Sequence, residues 1–94
     1  MESSMRPIHP GEILLEEFMD PMGLTASTLA GVLHLEPDCL DGIVRQERGI
    51  SRATAQLLAS YFDTSPEYWL NLQSAYDARK AQLKGRRGSK RTLH

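Results

Sequence analysis

The chain has 94 residues, of which 40% are hydrophobic and 24% charged, and it contains one cysteine. This composition excludes wholesale disorder and an internal disulfide. With no apolar run near the roughly 20 residues that span a bilayer and no visible export signal, we expect one small cytoplasmic domain without a membrane segment. The net charge of −1 conceals an uneven distribution of charge along the chain. Residues 1–78 hold all 12 acidic residues and four basic residues, whereas residues 79–94 hold seven basic residues and no acidic residue.

The first predicted helix opens at "HPGEILLEEFM", where Pro10 suits the first helical turn because its missing N–H costs nothing there. The pattern "DPMGL" ends this helix, with Pro21 and Gly23 as stop signals. Its expected apolar face consists of Ile13, Leu14, Phe18 and Met22.

The second and third predicted helices are short and are joined by the tight turn "HLEP". Thr25 is a good N-cap for the second helix, and Pro37 is expected to be the first residue of the third. We expect Gly49 to take a left-handed conformation after the third helix. The expected inward residues are Leu29, Ala30 and Leu33 on the second helix and Leu40, Ile43 and Val44 on the third.

Two further helices complete the pattern. Ser51 is expected to cap the fourth helix, and Ser65 followed by Pro66 is a strong start for the fifth, which runs to about Lys84 with Gly85 as its stop. The fourth helix carries an apolar stripe of Ala53, Leu57, Leu58, Tyr61 and Phe62. We expect Trp69 on the fifth helix to be a core residue, because a domain this small needs its only tryptophan inside.

The spacing of the second and third helices predicts a helix-turn-helix at about residues 25–45. Such a motif needs a small residue where the helices cross closely, and Ala30 is at that position. It usually has glycine in the turn, because the backbone there has positive φ, whereas this chain has His34, which tolerates that region at some cost. A generic helical hairpin is the alternative. The sequence therefore predicts an all-α, five-helix, lambda-repressor-like DNA-binding domain over residues 1–84, with an extended C-terminal helix and a flexible basic tail over residues 85–94.

From His9 to Arg79 the chain resembles the HigA-type antitoxins of bacterial toxin–antitoxin modules. The resemblance lies in "HPGEILLEEFMDPMGLTASTLAGVLHL" and "RGISRATAQLLASYFDTSPEYWLNLQSAYD", and its most specific pieces are "HPGEIL" and "SPEYWLNLQSAYD". It implies a small helical repressor that dimerises on palindromic operator DNA. It also implies that the protein binds and neutralises a HigB-type toxin, an mRNA-cleaving ribonuclease, and represses the operon that encodes both.

The resemblance places the third helix in the major groove, where its early residues meet base edges. The candidate DNA-contacting residues are Thr25, Ser27 and Thr28 on the second helix, Pro37, Asp38, Cys39, Asp41 and Gly42 on the third, and Arg45, Arg48 and Arg52 after them. Asp38, Cys39, Asp41 and Gly42 are expected to face outward. Family members commonly have Ser, Thr, Asn or Arg at these positions. The carboxylates of this chain instead oppose binding to phosphates, although a carboxylate can accept a hydrogen bond from a cytosine amino group. We therefore expect a DNA-facing surface that is retained but weakened or retuned.

Arg45 and Arg48 have an alternative role, since they can pair with Asp41 and Glu47 on a solvated surface. The basic tail, with Arg86, Arg87, Lys90 and Arg91, is expected to follow a DNA backbone without reading sequence, or merely to keep the chain soluble. Tyr76 and Leu83 are expected to lie beyond the compact body, where a second copy or a toxin would cover them.

No enzyme is expected, because three dispersed histidines and a lone Cys39 assemble neither a metal site nor a base–nucleophile pair. No cofactor is expected either. The preferred interpretation is a dimeric DNA-binding antitoxin that represses its operon and silences a ribonuclease. The alternative is a protein-interaction module whose helix-turn-helix has lost sequence-specific reading and only holds a toxin.

Overall fold

A computed structural model of the chain describes the backbone of residues 6–92 and the side chains of residues 6–84. Over this range the fold is all-α, with five helices and no strand, as the sequence predicts. Helix α1 runs without a break through three segments, Pro10–Ile13, Leu14–Met19 and Asp20–Met22. The other helices are α2 (Ala26–Leu33), α3 (Pro37–Val44), α4 (Arg52–Phe62) and α5 (Pro66–Thr92).

The middle of α1, Leu14–Met19, is wound as a π-helix, in which the N–H of Asp20 bonds to the carbonyl of Leu15, five residues earlier. This winding changes which side chains point inward, so that Leu14 and Met19 are both buried. The prediction that Met22 faces the core is wrong, since its side chain is 57% exposed. That prediction assumed a constant period of 3.6 residues, which this segment does not keep.

Short polar side chains begin α2, α4 and α5, as predicted. In each case a hydroxyl oxygen accepts a hydrogen bond from the backbone N–H three residues later: Thr25 from Thr28 at 3.1 Å, Ser51 from Thr54 at 3.2 Å and Ser65 from Tyr68 at 3.1 Å. These bonds satisfy N–H groups that have no partner inside the helix, and therefore fix where each helix starts.

A left-handed residue follows each of the first four helices, and after α4 it is Asp63, with φ 58°. Gly23 ends α1 with φ 67°, and His34 ends α2 with φ 60°, so the predicted positive φ in the turn is confirmed. The prediction for Gly49 is wrong, because the left-handed residue after α3 is Gln46, with φ 67°. The chain turns immediately after α3 ends, and Gly49 comes three residues too late to make that turn.

The core is formed by the inward faces of all five helices. Its buried apolar residues are Leu14, Met19, Leu29, Ala30, Leu33, Leu40, Ile43, Ile50, Ala55, Leu58, Ala59 and Trp69. Trp69 is fully buried, as predicted, and its indole N–H donates to the Thr64 hydroxyl at 2.8 Å. On α4 the predicted inward positions of Ala53 and Tyr61 are wrong, since both are exposed.

The last helix is longer than the sequence predicts. α5 continues past Gly85 to Thr92, whereas the sequence suggests an end near Lys84. A glycine inside a helix costs about 1 kcal/mol relative to alanine, which weakens a helix without forbidding it. The side chains of residues 85–94 lie outside the described part of the chain, so their division from the domain as a tail stays a prediction. No helix within residues 6–92 is both long and apolar enough to cross a membrane.

Candidate nucleic-acid interface

The α2–turn–α3 unit has the packing that a helix-turn-helix requires. The two helices pack against each other, and Ala30 on α2 is fully buried. The carbonyl of Ala30 accepts a hydrogen bond from the N–H of Leu35 at 2.8 Å, which closes the turn around His34. Leu40 and Ile43 on α3 are buried as predicted, so the opposite side of α3 is the one left for a ligand.

The start of α1 fixes the C-terminal end of α3. Gly11 lies so close to α3 that a Cβ atom at this position would overlap the carbonyl oxygen of Ile43. His9 caps α1, because its Nδ1 accepts a hydrogen bond from the N–H of Gly11 at 2.9 Å. The same buried ring contacts Tyr76 of α5 edge-on, with ring centroids 4.7 Å apart. The "HPGEIL" pattern therefore has a structural role: it joins α1, α3 and α5.

The solvent side of α3 is acidic at its start. Glu36, Pro37 and Asp38 are exposed and Asp41 is half-buried, whereas Cys39, which was predicted to face outward, is half-buried against the core. The prediction that Gly42 faces outward is wrong, because it is buried beneath Arg48. A Cβ atom at Gly42 would lie 2.7 Å from the Cδ atom of Arg48. Gly42 therefore acts by making room for an arginine, and not by presenting its own surface.

Two arginines lie against α3. Arg45 pairs with Asp41, with 3.1 Å between Nε and Oδ2, and both side chains remain about half exposed. This is the pairing that the sequence left open for Arg45, and it leaves much of the guanidinium accessible. Arg48 packs over Gly42 and is exposed, and Arg52 is exposed at the first residue of α4. All three guanidinium groups are therefore accessible to phosphates near α3.

The hydroxyls at the start of α2 are partly used within the helix. Thr25 accepts from the N–H of Thr28 and also donates its own proton to the Thr28 hydroxyl at 2.9 Å. Ser27 is exposed. A DNA contact by Thr25 would therefore compete with its capping role, whereas Ser27 and Thr28 can reach outward more easily.

Sequence reasoning missed Gln73, which connects α5 to the loop after α3. Its Oε1 accepts a hydrogen bond from the N–H of Ile50 at 2.8 Å, across 23 residues of chain. Its Nε2 donates to Asp77 at 3.0 Å. The available signal was the position of Gln73 inside "SPEYWLNLQSAYD", although nothing in the sequence names its partner.

The candidate partner-binding residues on α5 differ in their surroundings. Tyr76 is half-buried, and the prediction that it lies beyond the compact body is wrong because its ring packs on His9. Lys80 Nζ lies 5.3 Å from the centre of the same ring. Leu83 is half-buried near the end of the described side chains.

Among residues 6–84, no group of three histidine, cysteine or carboxylate side chains could hold a metal ion.

Burial lowers the pKa of His9 below its usual value, and this outweighs the hydrogen bond to the Arg48 backbone that raises it. A hydrogen bond from Arg6 lowers the pKa of Glu12, and the two side chains form an ion pair at 2.8 Å beside the start of α1.

Comparisons with known proteins agree with this geometry. No profile of a protein family matches the chain. The chain is 48% identical over 81 residues to the virulence-associated protein I of Dichelobacter nodosus, covering 86% of this chain and 75% of that protein. It is 32% identical over 77 residues to the antitoxin HigA-1 of Vibrio cholerae, covering 81% and 71%. Among solved structures, the Pseudomonas aeruginosa antitoxin HigA with the higBA promoter is 41% identical, with a TM-score of 0.86 over 92% of this chain and 94% of that one.

Proposed function

The chain belongs to the HigA antitoxin family of helix-turn-helix regulators, and on that premise we propose that it binds operator DNA, represses its own operon and neutralises a toxin. The family consists of regulators and not of enzymes. The observation that carries the proposal is the likeness, over nearly the whole chain, to an antitoxin that was solved with promoter DNA. Because repression requires access to the bacterial chromosome, we place the protein in the cytoplasm.

The DNA contacts follow from the exposed side of α3. With α3 in the major groove, Asp38, Cys39 and Asp41 lie towards base edges, and a carboxylate can accept a hydrogen bond from a cytosine amino group. Arg45, Arg48 and Arg52 are exposed and would bind phosphates, which supply most of the affinity. Ser27, Thr28 and Pro37 flank this surface and would fix its register on the duplex.

A titration of the chain's own upstream DNA tests this proposal. Affinity for that duplex and for a scrambled duplex of equal length is measured by fluorescence anisotropy at several salt concentrations. We expect tighter binding to the upstream duplex, and affinity for both that falls as salt rises. Equal affinity for the two duplexes would contradict operator recognition.

We also propose that the protein acts as a two-fold dimer through α5. A groove of ≈ 290 Å³ between the start of α1 and α5 is mainly apolar and is lined by Ile8, Ile13, Leu72, Ala75 and Tyr76, with Arg6 and Arg79. Leu72, Tyr76, Arg79 and Leu83 recur every three or four residues and are half-buried. In an antiparallel pair, this stripe would pack against the same stripe of a second copy, as a two-fold axis requires.

Sedimentation of two matched variants tests the dimer. Ala75 lines the groove and is exposed, so Ala75→Glu should place a charge in the interface and give a monomer at micromolar concentration. Ala81 is also exposed on α5, about a third of a turn away around the helix, so Ala81→Glu should remain dimeric. A wild-type protein that sediments as a monomer would contradict the proposal.

The proposed toxin is a HigB-type ribonuclease. An enzyme that binds RNA needs a basic surface, and residues 1–78 of this chain hold all 12 acidic residues, so the two surfaces are complementary. Expression of the product of the neighbouring reading frame should arrest growth, and co-expression of this chain should restore it. If growth stays arrested although both proteins accumulate, neutralisation of that protein is excluded.

A second candidate function is a toxin-binding module that no longer reads DNA sequence. The exposed acids Glu36 and Asp38 and the pairing of Asp41 with Arg45 favour it, because both features weaken attraction to phosphates. The same titration separates the candidates. A module of this kind would restore growth in the toxin experiment while showing no preference for the upstream duplex.

A further inference from the structure

Two side chains that the proposed DNA contacts do not use lie beside the loop between α3 and α4. From α5, Gln73 accepts a hydrogen bond from the N–H of Ile50 at 2.8 Å. From the start of α1, the buried ring of His9 lines the same small groove as Arg48, Gly49 and Gln73. The Gln73 bond is made to a backbone atom of the loop, so it fixes the path of the loop while leaving the Arg48 side chain exposed.

Gly49 provides the space that Gln73 requires. A Cβ atom at Gly49 would lie 2.8 Å from Oε1 of Gln73, which is closer than such atoms approach in proteins. The φ angle of Gly49 is not in the left-handed region, since Gly23 is the glycine with positive φ among the described residues. Glycine is therefore needed at position 49 because the Gln73 amide approaches closely there, and not because the turn requires a left-handed residue.

Gln73 and His9 are themselves fixed by neighbours. Gln73 donates to Asp77, one turn later on α5, at 3.0 Å. His9 accepts from the N–H of Gly11 at 2.9 Å and packs edge-on against Tyr76. Their orientations are thus set by α1 and α5, which do not belong to the helix-turn-helix.

We propose that Gln73 is a positioning residue for DNA binding that acts through Arg48. The hydrogen bond from the Ile50 N–H to Gln73 holds the loop so that Arg48 lies over Gly42 and directs its guanidinium towards a phosphate. An arginine already held in this way loses less conformational entropy on binding than one on a loose loop. The proposal rests on the proposed DNA-binding function. It also connects α5, the helix proposed to form the dimer, to the DNA contacts.

A double-mutant cycle between Gln73→Leu and Arg48→Ala tests the proposal in the full-length protein, with the upstream duplex as the probe. Gln73→Leu should weaken binding of the wild-type protein roughly threefold to tenfold, the range expected for losing one ordered side chain. In the Arg48→Ala background the same change should have almost no effect. Equal losses in both backgrounds would indicate a general structural role and overturn the proposal.

Two further variants separate the hydrogen bond from the fold. Gln73→Glu combined with Asp77→Asn exchanges donor and acceptor, so it keeps an acceptor for the Ile50 N–H, the bond between positions 73 and 77, and the net charge. This swap should bind DNA as tightly as the wild type. Gly49→Ala should displace the Gln73 amide and reproduce the loss caused by Gln73→Leu. If the swap binds as weakly as Gln73→Leu, the hydrogen bond is not the cause.

Amide hydrogen exchange at Ile50 tests the same contact without DNA. The Ile50 N–H should exchange slowly in the wild type and the swap, and faster in Gln73→Leu and Gly49→Ala, with urea unfolding confirming that each variant is folded. Unchanged exchange in Gln73→Leu would overturn the proposal whatever the DNA result. A wild-type protein that binds no duplex would instead overturn the proposed function, while the exchange rates would still report whether Gln73 holds the loop.

Discussion

Gly11 lies where two helices approach most closely, and its missing side chain is a requirement of packing. Because a Cβ atom would overlap the backbone oxygen of Ile43, Gly11→Ala must separate α1 from α3. We expect a loss of about 3 kcal/mol of unfolding free energy, at the upper end for overpacked cores, since a backbone oxygen cannot rotate away. Gly31→Ala on α2 is the control: it meets open space and should raise stability by up to about 1 kcal/mol. Urea unfolding distinguishes the two, and a Gly11→Ala protein as stable as the wild type would refute the close approach.

His9 makes the stability of the fold depend on pH. Burial is the main cause that lowers its pKa in the folded chain, and Lys80 lowers it further, while the Arg48 backbone, Asp77 and Glu12 oppose this. The unfolded chain therefore binds a proton more readily than the folded one. The contribution of His9 to stability is complete above its usual value of 6.5 and is lost as pH falls below it.

The variant His9→Asn tests this dependence, since asparagine is a good N-cap that does not titrate. Unfolding free energies are measured in urea at about pH 7.5 and about pH 5.5, on either side of the ordinary pKa of histidine. The wild type should lose more stability between these two conditions than the variant does. Equal losses would mean that His9 does not cause the dependence.

On the scale of one helix, Gly42 lowers the helical stability of α3 but leaves space for the side chain of Arg48. Gly42 is buried inside α3, where alanine would be favoured by about 1 kcal/mol, but a Cβ atom would meet the side chain of Arg48. We expect Gly42→Ala to keep or raise stability while displacing Arg48, so that affinity for DNA falls and the salt dependence loses about one phosphate contact. Anisotropy titrations should match those of Arg48→Ala. A Gly42→Ala protein with the wild-type salt slope would show that Arg48 does not bind a phosphate.

The helices differ in how far their sequence determines them. The starts of α2, α4 and α5 were predictable, because Thr25, Ser51 and Ser65 cap their helices through contacts only three residues away. The inward side of α1 was not, since π-winding moves Met19 into the core and Met22 out of it.

The candidate site likewise combines features that could be predicted from the sequence with features that could not. Arg45, Arg48 and Arg52 were selected from the sequence as candidate contacts, and all three are exposed. The burial of Gly42 and the contact between Gln73 and Ile50 depend on residues that are distant along the chain or lie across a loop. No local pattern in the sequence contains that information.

On the scale of the whole molecule, charge is separated along the chain. Residues 1–78 hold all 12 acids, while residues 79–94 hold seven of the 11 basic residues. The acidic part includes the start of α3, which weakens its attraction to phosphates. A basic C-terminal segment would compensate by binding the DNA backbone without regard to sequence, leaving discrimination to α3. Affinity and specificity would then reside in different parts of the molecule.

Deletion of residues 85–94 tests this separation, because it removes Arg86, Arg87, Lys90 and Arg91 and leaves the described side chains in place. Each basic residue that neutralises a phosphate contributes about 0.9 to the slope of log affinity against log salt, so the slope should flatten by up to about 3 to 4. Affinity for the upstream and the scrambled duplex should fall by similar factors, and their ratio should be preserved. Replacing the four basic residues with glutamine at full length is the control for the loss of chain, and should have the same effect. If the slope is unchanged in both variants, DNA affinity resides in the arginines near α3 and the basic segment has another role.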